Sequence, residues 1–421
     1  MRWLILVFLF LGMLINWIDK SVTGYAVLWI MEELNMGYIE WGLSGSLFFW
    51  CYAIVALFGG SISDKIGVKK LLTILLIVWS VLQFSVAFIA TVPLFLLYRC
   101  LLGAFEGPFT PTSYNSITKW FGPESRGKAN SILISGGILG GTLCVPLIVW
   151  ALESYEWRMT FVISGVISLI WVVLWVTFAK EEPVSPVEKL YFEEALPKLR
   201  VKELLDVLRQ PACYLTLLAL FAAFWVLSWT SIWMPAYLLQ VIKLSPVQVG
   251  YAAMAVGLAS VTVSISVSSF SDHLFKKTQS DRKSRVLVLA VSLLLSAVCL
   301  WSITVNQSTI GVIIAIGLAS GFAMVALSVP IPFLMNFMPR RKGLMGSITV
   351  SSYNLGGVVA PIITGWILDA YKDNLSFAYN ASLLIIACFF VITAVLLAIF
   401  VNPDRPKEKG NLSYSIEATN Q

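Results

Sequence analysis

Four ionisable side chains stand inside apolar stretches long enough to be membrane helices: Asp19 and Lys20 in the first, Arg99 and Glu106 in a later one. A charge in hydrocarbon is retained where it meets a partner or a water-filled chamber, so this cluster points to a pathway for protons or charged solutes. Asn16, Asp19, Lys20 and Thr23 have the spacing of one helix face, and Arg99, Gly103 and Glu106 share one side of their own helix. Helical rise puts Asp19 and Arg99 at a common depth, roughly 10 to 14 Å below one membrane surface, with Glu106 about 10 Å deeper. The expectation is an Asp19–Arg99 pair with Glu106 nearer the midplane. Carboxyl groups so placed can exchange a proton as cationic neighbours approach or leave.

The elements that must hold these residues follow from composition. The chain is 58% hydrophobic and 12% charged, where soluble domains carry about 25% charged residues. Apolar runs of about 20 residues match a hydrocarbon layer roughly 30 Å thick. Alternating segments of about 10 residues, the mark of a membrane barrel, are not seen. The runs predict an all-α membrane protein of twelve transmembrane helices: Trp3–Leu28, Trp41–Ile62, Leu71–Ala90, Val92–Trp120, Ala129–Leu152, Trp157–Ala179, Ala212–Val241, Val247–Phe270, Val286–Val305, Thr309–Phe337, Gly343–Ala370 and Phe377–Val401. Met1 to Asn16 imitates a signal peptide, but no small-residue cleavage site follows, and it reads as the start of helix 1.

Lys65, Lys69, Lys70, Lys119, Arg126, Lys128, the basic stretch 180–209, Lys276 to Arg285 and Arg340 to Lys342 fall on one side of the predicted spans. Arg158, Lys243 and Lys372 fall on the other. Basic loops stay in the cytoplasm, so both termini are expected there, in a multi-pass protein of the cell membrane. The mixed Glu, Lys and Pro stretch divides the chain into a first six-helix bundle over 1–180, a cytoplasmic linker over 181–211, a second bundle over 212–402 and a polar cytoplasmic tail over 403–421. Internal echoes support the division. Ser63-Asp64-Lys65 recurs as Ser271-Asp272-His273, and Trp120-Phe121-Gly122-Pro123 with Arg126-Gly127 recurs as Phe337-Met338-Pro339 with Arg341-Lys342-Gly343. Two pseudo-symmetric bundles facing a central site are the geometry of alternating access.

Other classes are disfavoured. The formal charge of +6 is explained by topology rather than by a nucleic-acid partner. Cys51, Cys100, Cys144, Cys213, Cys299 and Cys388 are scattered through apolar stretches without metal-ligand spacing, and the single His273 stands in a basic loop. No metal, no cofactor and no enzymatic nucleophile with a histidine base is expected.

The segment Gly60-x-x-x-Asp64-Lys65-x-Gly67-x-Lys69-Lys70 resembles the loop signature of the major facilitator superfamily, and Arg99-x-x-x-Gly103-x-x-x-Gly107 resembles another of its motifs. The resemblance implies a cytoplasmic latch between bundles, formed by Gly60, Asp64, Lys65, Gly67 and Arg126. Within that superfamily, Asn16-Trp17-Ile18-Asp19-Lys20-Ser21, Arg99 through Glu106-Gly107-Pro108, Trp120-Phe121-Gly122-Pro123 with Arg126-Gly127, and Asn354-Leu355-Gly356-Gly357 with Pro361-Ile362 resemble the anion:cation symporter family of sugar-acid, hexuronate and sialate transporters. This implies proton-coupled symport of a small organic anion by a monomer in the bilayer. Asp19 and Glu106 are then the proton-coupling residues, Lys20 and Asn354 substrate contacts, and Arg99 the coupling partner of Asp19. Tyr52 and Tyr353, placed near the same cavity, complete the expected substrate contacts.

Two positions depart from the family: Lys20 stands where it usually has Arg, and Gly137 where some sugar-acid members have Gln. Gly137-x-Leu139 with Val145-Pro146 lacks the full antiporter signature, which favours symport. The rival readings are a multidrug or metabolite exporter and a nutrient sensor that binds without translocating. The positive Lys20 and Arg99 argue against the first, and the short polar tail against the second. The stripe of Trp225, Trp229 and Trp233 reads as packing.

Overall fold

Backbone groups in lipid find partners only within their own helix or a closed barrel, and this chain takes the helical solution. The computed structural model describes residues 1–180, 201–306, 308–338 and 342–404. Most of the expected linker, Arg340 and Arg341, and nearly all of the expected tail lie outside the described residues. The first half comprises α1 (Arg2–Tyr25), α2 (Val27–Glu33), α3 (Tyr38–Ile66), α4 (Val68–Ser85), α5 (Val92–Glu106), α6 (Phe109–Trp120), α7 (Pro123–Ile138) and α8 (Val145–Phe178). After α9 (Val201–Leu208) come α10 (Pro211–Ile232), α11 (Met234–Gln240), α12 (Pro246–Thr278), α13 (Leu287–Val305), α14 (Thr309–Met324), α15 (Ile331–Met335), α16 (Lys342–Ala370) and α17 (Leu375–Phe400).

Twelve crossings are assembled from these pieces, and several are interrupted. Crossing 1 breaks at Ala26, and crossing 4 breaks at Gly107-Pro108, directly after Glu106. Crossing 7 breaks at Trp233 ahead of Pro235, and crossing 10 passes through a 3-10 turn at Val325–Leu327 before α15. Proline lacks the N–H that a continuing helix needs and crowds the preceding turn, which accounts for the breaks at Pro108 and Pro235. Crossing 5 carries a π-helical segment at Leu139–Leu143 between α7 and α8. Within α8 the backbone leaves helical geometry at Glu156 (φ 66°, ψ 160°), where crossing 5 gives way to crossing 6.

Elements α1 to α8 pack mainly among themselves, as do α10 to α17, and the principal contact between the two sets is α3 against α16, with α8 against α12 second. The α3–α16 contact runs from the ends remote from the basic loops, at Tyr38 and Gly365, to the middle of both helices, at Phe49 and Gly357. Gly42 lies so close to the Pro361 carbonyl that an added Cβ would come within 2.4 Å of it, and Gly365 is similarly close to Tyr38 O. Ser46 Oγ donates to Val358 O at 2.5 Å, Trp41 Nε1 to Ile232 O at 3.3 Å, and Gln240 Nε2 to the Tyr38 hydroxyl at 3.4 Å. At the basic end the same helices diverge: Gly60 and Gly127 of the first half and Gly346 of α16 face open space. The structure is therefore sealed at the end remote from the basic loops and open at the basic end.

The cysteines include one close pair that their sequence positions do not reveal. Cys51 Sγ of α3 and Cys100 Sγ of α5 lie 2.7 Å apart as free thiols, because small residues let these two helices approach. The three tryptophans of the crossing-7 stripe are all buried, and the Trp233 ring lies 6.3 Å from Tyr38 of the first half.

Candidate functional site: an ion pair beside the interbundle gap

The site is built where α1, α3 and α5 meet. Gly103 and Gly107 on α5 have no side chain because α3 runs across them: a Cβ at Gly103 would fall 2.2 Å from Phe48 O, and one at Gly107 2.5 Å from Tyr52 O. That close approach brings Tyr52 over the Lys20 ammonium, with Nζ 4.7 Å from the ring centroid. Trp17 covers another side at 5.2 Å, and Asn16 Oδ1 accepts a hydrogen bond from Nζ at 2.7 Å. Lys20 Nζ is 3.6 Å from Glu106 Oε2. The Lys20 side chain retains 19% exposure while that of Glu106 has none. Both Glu106 oxygens lack a hydrogen-bond partner, as does the buried Asn16 Nδ2. One ammonium thus stands between a carboxylate held by charge alone and an unoccupied amide donor.

Asp19 has a different environment. Both its oxygens are engaged, Oδ2 by the Trp79 indole N–H from α4 and Oδ1 by the Ser164 hydroxyl from α8, so it sits inside the first bundle. The expected Asp19–Arg99 pair is not formed. Arg99 Nη1 donates to Thr23 Oγ1 at 3.3 Å, and its guanidinium lies 4.4 Å from the centroid of Phe48. Glu106 meets Lys20, the neighbour of Asp19, and Arg99 meets Thr23 one turn farther along α1, so Asp19 is level with Glu106 rather than with Arg99; its carboxylate turns toward α4 and α8, where an indole and a hydroxyl already satisfy it. The expected ion network becomes a Lys20–Glu106 pair at the gap and two buried charges held by neutral donors, acceptors and a ring.

Across the gap, the Phe224 ring of α10 meets Phe49 of α3 edge-on at 5.6 Å and Tyr353 of α16 at 5.0 Å. Tyr353 lies within electrostatic range of Tyr52 and Tyr114. Asn354 is buried and one N–H of its Nδ2 donates to Val350 O one turn back on its own helix, at 2.9 Å. Sequence reasoning missed Trp79, Ser164 and Phe48, and it placed Thr23 on the polar face of α1 without pairing it to Arg99. The available signal for Trp79 was that an indole N–H buried in a span needs an acceptor.

The expected latch residues lie at the open basic end. Gly67 takes a positive φ of 85° to turn the chain from α3 into α4. Asn115 of α6 donates to both Asp64 Oδ1 and Ser63 Oγ at 2.7 Å. Arg126 donates to the α6 carbonyls of Thr118 and, through Nε, to that of Phe121, each at 2.8 Å. Lys65 is exposed and Gly60 faces open space. These bonds join α3, α6 and α7 within one half. In the sequence echo, Asp272 pairs instead with Arg285 at 2.6 Å. Two crevices too narrow to admit a water molecule lie inside the second half, lined by residues such as Thr216 and Phe333 or Trp229 and Ser320, and neither touches Lys20.

Comparison with known proteins places this geometry in a family. A hexuronate transporter of Bacillus subtilis (strain 168) is 28% identical over 421 residues, covering 96% of each chain. The "Probable sulfoacetate transporter SauU" of Cupriavidus necator is 25% identical over 418 residues, covering 94% of this chain and 93% of that one. In fold, the chain resembles a bacterial homolog of the human lysosomal transporter Spinster, solved in an inward-facing and unoccupied conformation. The TM-score is 0.78 at 18% identity, over 94% of this chain and 96% of that one. The family described as the Major Facilitator Superfamily matches residues 9–280 and 277–416. With twelve crossings in the arrangement described above, the chain belongs to the Major Facilitator Superfamily and is a multi-pass membrane transporter rather than an enzyme.

Proposed function

We propose that this chain is a secondary active transporter that carries a small organic anion together with protons into a bacterial cell by alternating access, with both termini in the cytoplasm. The observation that carries the reading is the Lys20–Glu106 pair beside the gap, with the orphaned amide of Asn16 next to it. Lys20 Nζ and Asn16 Nδ2 supply the two donors that a carboxylate or sulfonate group accepts. The relatives support the same chemistry, since hexuronate and sulfoacetate share an anionic head and little else.

The coupling step follows from desolvation. An arriving anion competes with Glu106 for the single ammonium. Glu106, buried and with no hydrogen-bond donor, cannot remain charged once that ammonium is engaged elsewhere, and a proton replaces the lost partner. The pair then carries anion and proton together, which cancels the opposition of an inside-negative potential, about 2.3 kcal/mol per charge per 100 mV. Asp19, fully hydrogen-bonded by Trp79 and Ser164, serves in this account as a buried brace of the first bundle, and Glu106 as the coupling carboxyl. Tyr52 and Tyr353 contact the substrate from the two halves. Asp64, Lys65, Gly67, Gly60 and Arg126 close the basic end when the far end opens.

The experiment is uptake into proteoliposomes of a panel of radiolabelled carboxylates and sulfonates, with and without an inward proton gradient, alongside counterflow. The reading expects gradient-driven uptake in the parent protein. In Glu106→Gln it expects that uptake to fall at least ten-fold while counterflow persists. Gradient-driven uptake that survives Glu106→Gln contradicts the assignment, and binding without counterflow would instead favour a sensor.

A further inference from the structure

We infer that Tyr114 is a specificity-determining residue: with Tyr353 it forms a second subsite, which reads an oxygen at the end of the anion remote from its charged head. This rests on the anion site proposed above and names what the chamber selects beyond charge.

The place of Tyr114 in the fold comes first. Crossing 4 runs from Glu106 through the Gly107-Pro108 break into α6, and Tyr114 follows eight residues after Glu106. Helical rise sets its backbone about 12 Å nearer the basic end than the Lys20–Glu106 pair. A helical side chain leans toward the N-terminus of its own helix, which for α6 is the Glu106 end, so the phenol reaches back toward the ammonium. Asn115 and Pro111 occupy the side of α6 turned to α3, where they meet Ser63, Asp64 and Gly59. Tyr114 stands on an adjacent side and is 38% exposed.

That side faces the other half of the molecule. Gly357 of α16 packs on Phe49 of α3, where an added Cβ would fall 2.9 Å from the ring. Tyr353 is one turn nearer the basic end, where the halves begin to part, and its side chain leans further that way. Tyr353 lies within electrostatic range of Tyr52 and Tyr114, and Tyr114 within that of Tyr52. Phenols from α3, α6 and α16 thus converge on the gap, two from the first half and one from the second.

Hydrogen bonding supplies the third observation. Tyr98 donates to Gln83 and Tyr379 to Gln240, as phenols shielded from bulk water ordinarily do. Tyr52, Tyr114 and Tyr353 make no hydrogen bond among the described residues. The Tyr52 ring is spent on the Lys20 ammonium. The Tyr114 and Tyr353 hydroxyls remain to meet a ligand oxygen from opposite sides of the gap, and each can donate to it or accept from a hydroxyl. A two-carbon acid held at Lys20 is too short to reach them. An anion that carries a hydroxyl several carbons from its head is not.

Equilibrium binding to the purified full-length protein in detergent tests this with D-gluconate, hexanoate and glycolate: a hydroxylated six-carbon acid, an apolar acid of equal length and a two-carbon head. D-gluconate should bind the parent more tightly than either of the others. In Tyr114→Phe, which keeps the ring, D-gluconate should bind roughly three- to ten-fold more weakly, the loss of one hydrogen bond, while hexanoate and glycolate stay within about two-fold of the parent. Tyr353→Phe should give the same selective loss, and one that spares D-gluconate overturns the paired subsite. Unchanged D-gluconate affinity in Tyr114→Phe, or an equal loss for all three acids, overturns the role of Tyr114, as does hexanoate bound more tightly than D-gluconate by the parent. Any of these results leaves the anion site standing if Lys20→Ala weakens every acid that binds. If none of the three binds, or if Lys20→Ala binds them as the parent does, the anion site itself falls.

Discussion

A lysine 3.6 Å from a carboxylate that no hydrogen-bond donor reaches is held in place by charge alone, and such a pair can exchange partners. Lys20→Ala should therefore weaken anion binding by roughly 10 to 100-fold, the equivalent of about 1.5–3 kcal/mol for a charge-assisted hydrogen bond, as measured by calorimetry. Lys20→Arg, which keeps the charge, should stay within about ten-fold of the parent; equal losses in both variants would contradict a charge-reading role. Asp19 answers to a different test. Trp79→Phe removes one of its two donors and should lower the thermal stability of the protein in detergent by about 1.5–3 kcal/mol. An unchanged midpoint would show that Asp19 does not depend on the indole. The sequence made Asp19, Lys20, Arg99 and Glu106 visible because ionisable residues stand out in apolar runs. It did not reveal who faces whom, because helical rise counted from uncertain helix ends fixes neither the relative height of two spans nor their azimuth. Glu106 rather than Arg99 stands level with Asp19 and its neighbour Lys20, and Thr23 meets the guanidinium. Ser164 gave no warning, since it looks like ordinary span composition, and Trp79 offered only the general need of a buried indole N–H for an acceptor.

At the scale of elements, the breaks matter as much as the rods. Gly107-Pro108 ends α5 directly after Glu106, so this buried carboxyl stands at a helix terminus rather than in the middle of a continuous span. The breaks at Pro108 and Pro235 fall inside segments that hydropathy reads as single spans, and the break at Ala26, two residues after Gly24, lies close to the expected end of helix 1. Beyond that break, α2 ends in a clasp remote from the basic loops. Arg158 donates to Glu33 and, through Nη2, to Ile89 O at 2.6 Å, and Trp157 Nε1 donates to Glu33 at the same distance. The Arg158 hydrogen bond, opposed by burial and aided by the Trp157 hydrogen bond and the Arg158 charge, holds the Glu33 carboxyl below its ordinary range. A carboxylate depressed in the folded state adds stability above its unfolded pKa of about 4.3 and loses it as pH falls through the folded value. Glu33→Gln should accordingly melt below the parent at neutral pH, and the two should converge as the medium is acidified below about pH 4. A gap between them that does not change with pH would contradict the clasp.

The whole molecule is sealed at one end by backbone contacts that tolerate no side chain, as at Gly42 against Pro361, and open at the other, where the latch residues bond within their own half. Gly42→Val should prise that seal apart and favour the opposite state. Spin labels at Lys69→Cys and Lys276→Cys, in a background free of native cysteines, should then report a shorter separation across the basic end than in the parent; an identical distribution would show that Gly42 does not govern closure. The central claim is that anion arrival at Lys20 hands a proton to Glu106. Its most direct measurement is the number of protons taken from a weakly buffered solution, read with a pH dye, when saturating anion is added to the purified protein. The account predicts net proton uptake on binding by the parent, and anion binding without that uptake by Glu106→Gln. Proton uptake of the same size in both proteins would contradict it.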